Sequence, residues 1–291
     1  MSIKETYNIE TEEDLNRVLN TIDQEMRAEN VPIFARQIKG WLKFSSRFGL
    51  GLKMSDPLSQ KVMDWFGHRY GDKIKVDFSE GEFAVSIRGD LYKMYFPFFA
   101  GTVQIICDPR FWMSEPGVQI AKDENDPLPV MNVLNCVEEL TENYALALSL
   151  DEQHELFTLV QFGCSAFQTI NHIKGVAFVE EAKGDIGASV AHLFDDRPQY
   201  GLSKWSSLQA TEKFIKAYIA QKGVTPPFSH DLQRLATLAE SHGLPALSPA
   251  ELSKIQCPAD VRYGRIPVTP QEALEAQHAA IKICAEVARN L

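Results

Sequence analysis

From Val176 to the end of the chain, apolar residues return every three or four positions in four successive segments. The first three are closed by Pro198, Gly223 and Gly243. That periodicity puts one apolar stripe on each of about four helices, and a stripe of this kind must be buried against its neighbours. In 176–194 the stripe is Phe178, Ala182, Ile186, Val190 and Leu193, and Asp195-Asp196-Arg197-Pro198 ends it. Asp185, Ser189, His192 and Asp196 form a second strip at helical spacing, read as a solvated face. The next segment carries Trp205, Leu208, Ile215 and Ile219 and stops at Gly223, the place of a C-terminal glycine cap. A third begins at Ser229 or His230 and runs to Gly243. The last opens on Thr269-Pro270-Gln271-Glu272, a capping box with proline in the first turn, and places His278 on its buried stripe. The pattern predicts an antiparallel bundle of four to five helices, stabilised by packing rather than by any helix alone.

Upstream the period changes. Helices are expected over 11–22, 33–48 and 56–70, with Thr11 as a cap and Pro57 in a first turn. Four short runs rich in Ile, Val, Phe and Tyr follow: 73–78, 82–88, 91–97 and 102–107. Short turn signals between them predict an antiparallel meander of two to four strands. Residues 108–129 read as a polar surface loop, and from Val130 onward everything reads as helix, including 131–148 and 151–173. The fold class is therefore α+β: an α+β domain over 1–150, then a helical bundle over 151–291.

Composition narrows the function classes. No apolar run approaches the roughly 20 residues that cross a bilayer, and Met1-Ser2-Ile3-Lys4-Glu5-Thr6 lacks the pattern of a signal peptide. The five cysteines are widely spaced, with no C-x-x-C pair, which points to a reducing compartment and away from disulfides or a zinc site. A cytoplasmic protein with no metal, no cofactor and no membrane association is expected. The net charge of −10 lies in residues 1–173, with 16 basic against 26 acidic groups, while 174–291 balances 13 against 13. DNA binding through the acidic N-terminal part is not expected. Gly49-Leu50-Gly51 is no dinucleotide fingerprint, and no H-E-x-x-H, Walker A, G-x-S-x-G or EF-hand pattern is present. Asp123-Glu124-Asn125-Asp126 reads as an acidic surface loop.

Within the bundle, Gln209-Ala210-Thr211-Glu212-Lys213-Phe214-Ile215-Lys216-Ala217 on the second helix, Ser229-His230-Asp231-Leu232 before the third, and Arg262-Tyr263 ahead of Val268–Ala273 follow in order. Together with the Gly184–Ile186 helix, this series resembles the HEPN domain family from about residue 174 onward. The resemblance implies a dimerising helical module. Many HEPN proteins are metal-independent ribonucleases in which an Arg stands about four to six residues before a His, so that the imidazole moves a proton and the guanidinium faces the phosphate. None of His68, His154, His172, His192, His230, His242 and His278 has an Arg at that spacing; Arg234 and His242 come nearest. Nor is there a Gly-Ser followed by paired aspartates, as in the small nucleotidyltransferases that partner some members. The expectation is thus a non-catalytic homodimer that binds a partner protein, nucleotide or RNA. Candidate ligand contacts are Lys213, Lys216, Arg262, Tyr263 and His230. The alternative is a ribonuclease with a non-standard site of Arg262, Arg265 and His278.

Overall fold

The computed structural model describes residues 9, 11–51, 56–73, 79–97, 103–113, 120–122 and 129–291. The chain divides into two compact units, Met1–Phe78 and Ser79–Leu291.

Among the described residues the first unit holds three α-helices. α1 (Glu12–Ala28) starts where the Thr11 hydroxyl accepts the Asp14 amide, and three acidic residues fill its first turn. α2 (Arg36–Phe48) follows a 3-10 turn at Ile33–Ala35 and ends on Gly49, whose φ of 63° is left-handed. α3 (Pro57–Tyr70) has proline in its first turn. Leu19, Ile22, Met26, Phe44, Val62 and Phe66 make its core. The strand expected over 73–78 falls outside the described residues except Lys73, which lies in a 3-10 turn.

In the second unit β1 (Ser79–Ile87) and β2 (Asp90–Pro97) form the expected antiparallel hairpin. Arg88 and Gly89 both have positive φ (54° and 94°), the two-residue turn whose twist suits a hairpin. Arg88 is held there by Glu152, at 2.6 and 2.8 Å. The fourth run, 102–107, does not continue the meander. β3 (Gln104–Ile106) pairs in parallel with β5 (Pro129–Asn132), and β4 (Ile120–Lys122) lies antiparallel on the other side of β5.

The helix expected over 131–148 is replaced by β5, a 3-10 turn at Val133–Cys136 and the short α4 (Glu142–Leu146). Two asparagines explain the replacement. Asn132 bonds the amide and carbonyl of Asp108 at 3.1 and 2.8 Å, and Asn135 bonds Met113 and Phe111. Side chains that satisfy a neighbouring backbone in this way compete with helix.

α5 (Leu150–His172) opens on a Ser149/Glu152 capping box. α6 (Val179–Ala191), α7 (Tyr200–Gln221), α8 (Leu232–Glu240), α9 (Pro249–Ile255) and α10 (Pro270–Ala288) complete the unit. α7 packs against α6, α8 and α10, and α10 also meets α5, α9 and β1. Asp231, not Ser229 or His230, caps α8 by accepting the Arg234 amide. The short α9 was not expected from the sequence. The hairpin shares its core with the bundle: Phe83, Val85, Met94 and Phe96 lie in the same apolar cluster as Phe214, Ile215 and Ile283. Gly163 permits the closest approach, since a Cβ there would stand 2.0 Å from the Phe96 ring. Among the described residues no helix is long and apolar enough to cross a membrane, and all five cysteines are free thiols.

Candidate functional site

α7 carries the side chains that organise the bundle's polar centre. Glu212 is almost fully buried, yet it is a carboxylate, so it must be compensated. Three groups do this. Lys216, one turn on and itself only 12% exposed, donates at 2.6 Å; His230 Nδ1 donates at 2.7 Å; the Gln209 amide lies at 3.4 Å. Lys213 on the same helix reaches α6 and pairs with Asp185 at 2.5 Å. Burial nevertheless raises the Asp185 carboxyl above its usual range, with Lys213 opposing that shift. Both lysines expected to meet a ligand are therefore engaged by carboxylates of the bundle.

Of the strip Asp185, Ser189, His192 and Asp196, only Asp196 stands fully on the solvated face its polarity suggested. Asp185 turns to Lys213, and Ser189 is buried, its hydroxyl donating to Ile186 and accepting from Gln277. His192 Nδ1 stands 3.6 Å from Asp195, too far for a hydrogen bond.

His230 marks the wall of an open groove. Its ring is half exposed, with its centre 5.7 Å from that of Trp205 and 6.3 Å from that of Phe228. Phe228 is fully exposed, carried on the Pro226-Pro227 connection before α8. Trp205, His230, Asp231, Gln256 and Cys257–Ala259 enclose about 440 Å³. Gln256 is fixed by two hydrogen bonds, accepting from the Leu232 amide and donating to the His230 carbonyl.

The wall formed by 256–259 runs directly into the next exposed cluster. A 3-10 turn at Ala259–Val261 is followed by Tyr263, 66% exposed, with the Arg262 and Arg265 guanidiniums 5.7 and 5.8 Å from its ring centre. Arg265 also pairs with Asp260 at 3.1 Å. Gly201 lets α7 pack onto this turn, since a Cβ would lie 2.5 Å from the Val261 carbonyl. Phe228, Trp205 and Gln256 were missed in the sequence reading. A fully apolar residue directly after Pro-Pro was the one signal for Phe228.

His278 belongs to another part of the molecule. Its Nε2 donates to the Ala84 carbonyl at 2.7 Å and its ring meets Phe83 edge-on. It lines a small cavity of about 260 Å³ with Leu159, Phe162, Glu251, Lys254, Glu275, Ala279 and Lys282; neither Arg262 nor Arg265 lines it. The structure thus brings Arg262 and Arg265 together around Tyr263, while His278 faces β1. Burial holds the imidazole below its ordinary pKa, so it is neutral in the fold. The unfolded chain takes up a proton near pH ~6.5. Because the folded value is depressed, this contribution to stability is complete above that pH and is lost as pH falls below it. The melting temperature should drop between about pH 7.5 and 5.5. A His278→Gln variant should show a flatter profile, and an unchanged slope would mean other groups set it.

The second unit is a mixed structure in which an antiparallel helical bundle closes over a β-hairpin. Within it, residues 177–291 match the model of the HEPN domain, which covers α6 to α10. Neither a curated protein nor a solved structure matches the chain. Among the described residues no cluster of three metal-ligating side chains occurs.

Proposed function

We propose that the bundle is a non-catalytic binding module, that its ligand is a nucleotide or a short single-stranded RNA, and that two copies associate through it. The observation that carries this reading is a groove lined by the Trp205 and His230 rings, with the exposed Phe228 ring beside His230 and a wall that leads to Arg262, Tyr263 and Arg265. Rings on which bases stack, beside exposed guanidiniums, are the usual means of holding single strands without reading a fixed sequence, with phosphate competing against Asp260 for Arg265. In this reading Lys216 acts by fixing Glu212, and through it His230, while Lys213 ties α7 to Asp185 of α6, and neither touches phosphate. The α10 histidine is tied to a strand carbonyl and stands apart from the arginine pair, which argues against the ribonuclease alternative of Arg262, Arg265 and His278.

Trp205 is a built-in reporter. Adding a short oligoribonucleotide or ATP to the pure protein should change its fluorescence saturably and raise the melting temperature, with the RNA intact after long incubation. Phe228→Ala and His230→Ala remove exposed rings and should each weaken binding about tenfold, the loss expected for one stacked base. Affinity unchanged in both variants would place the ligand elsewhere. Cleaved RNA would restore the enzyme reading. Light scattering that gives only monomer at high protein concentration would remove the dimer from the proposal.

A further inference from the structure

The N-terminal unit gathers positive charge around one buried acid. Asp23 on α1 is wholly buried, and three guanidiniums converge on its carboxylate. Arg27 Nε lies at 3.1 Å, Arg69 Nε at 3.1 Å and Arg36 Nη1 at 3.6 Å. The Tyr70 hydroxyl completes the cluster, donating to Asp23 at 2.5 Å and accepting from Arg36 at 2.6 Å and Arg27 at 3.2 Å. Three other carboxylates of the unit are paired elsewhere: Asp14 with Arg17, Glu25 with Arg47 and Lys43, and Glu29, just past α1, with Lys43. Among the described residues, then, three cations share a single anion.

The surplus charge faces outward. Arg36 is 12% exposed and locked, also donating to the Val31 carbonyl. Arg27 and Arg69 are 52% and 36% exposed, and Arg27 Nη1 and Arg69 Nη2 have no partner among the described residues. Arg69 lies over the Trp65 ring at 4.9 Å and is further held by Asn20, so the fork is fixed before any ligand arrives. Like charges this close repel, and a second anion beside Asp23 relieves the repulsion. Planar guanidinium forks suit the oxygens of phosphate better than a point charge does.

We propose that Arg27 and Arg69 form a phosphate-binding site in the N-terminal unit, specific for a phosphate dianion, either free or as the monoester of a small molecule. The overall acidity of residues 1–173 disfavours a long polyanion there and favours a ligand of this small size. The site shares no residue with the groove near Trp205, and stands or falls independently of it.

The test is thermal unfolding of the full chain with sodium phosphate at pH 8, against sodium chloride at matched ionic strength. A parallel series uses glycerol phosphate, a monophosphate ester with no base to stack in the groove near Trp205. Phosphate should raise the melting temperature along a saturable curve that chloride does not reproduce. A similar curve with the monophosphate assigns an esterified phosphate, and no response to it assigns the free ion. Arg27→Gln with Arg69→Gln should move the phosphate midpoint at least tenfold, while Arg17→Gln, at an exposed arginine of the same helix paired with Asp14, leaves it in place. Should the double variant not fold, Arg27→Lys keeps the charge, loses the fork, and should still weaken the midpoint several-fold. An equal rise in chloride, or a midpoint unmoved in these variants, would reduce the cluster to an internal ion network and overturn the proposal.

Discussion

Replacing Glu212 with leucine is expected to destabilise the second unit by about 3–5 kcal/mol, the usual loss when one partner of a buried ion pair is removed. The reason is the ion left behind. Lys216 is only 12% exposed, and its ammonium is held by Glu212 at 2.6 Å. Without the carboxylate it must be neutral, reorganise or stay charged in poor solvent, and each route is unfavourable. His230 simultaneously loses the acceptor that fixes its ring beside Trp205. For a unit of this size the loss corresponds to a fall of roughly 10 °C in melting temperature. The double variant Glu212→Leu, Lys216→Met should recover most of it, because a buried pair replaced by apolar groups of similar volume often costs little. It should not recover ligand binding at the groove, since His230 remains untethered. A loss below about 1 kcal/mol in the single variant would mean that the pair is solvated like an ordinary surface bridge.

That contrast separates what the sequence disclosed from what it hid. Helix limits were legible wherever local chemistry sets them. The Thr269/Glu272 capping box, Thr11 at α1 and Pro57 at α3 all stand where the residue pattern put them. The hairpin was legible because its partner strands are neighbours in the chain. The β3–β5 pairing was not, because its two strands lie about 25 residues apart and parallel, which no local period records. The helix predicted over 131–148 failed for the same reason: the backbone partners of Asn132 and Asn135 come from residues 108–113.

The structure turns wholly helical only from α5, near residue 150, whereas the packing divides at Phe78/Ser79. Phe83, Phe96 and Phe167 belong to one core, although the pattern assigned them to different parts of the chain. At the candidate site, His230, Arg262 and Tyr263 could be named from the HEPN-like motif. What each touches could not, because Lys213 and Lys216 show the same polar character whether they meet a phosphate or Asp185 and Glu212.

The second large effect concerns Gln277, for which Gln277→Leu should cost about 2–4 kcal/mol through two broken buried hydrogen bonds. Gln277 is wholly buried on α10, with its amide spanning two elements. Oε1 accepts the Ala84 amide of β1 at 2.8 Å, and Nε2 donates to the Ser189 hydroxyl of α6 at 3.3 Å. The next residue, His278, takes the Ala84 carbonyl at 2.7 Å. Two adjacent α10 side chains thus satisfy both backbone groups of Ala84 on the side of β1 away from β2. An open strand edge invites pairing with another chain, and here a helix closes it. Leucine matches the volume of Gln277 but leaves the Ala84 amide unpaired in a dry interior, and that penalty exceeds the value of the bond itself. Hydrogen exchange at Ala84 should accelerate sharply in Gln277→Leu while amides on α3 keep their protection. His278→Gln should be milder, since an amide can still donate to the Ala84 carbonyl. If His278→Gln instead abolished an activity on RNA without moving stability or exchange at Ala84, the histidine would be catalytic, and its role as the clamp on β1 would have to be given up.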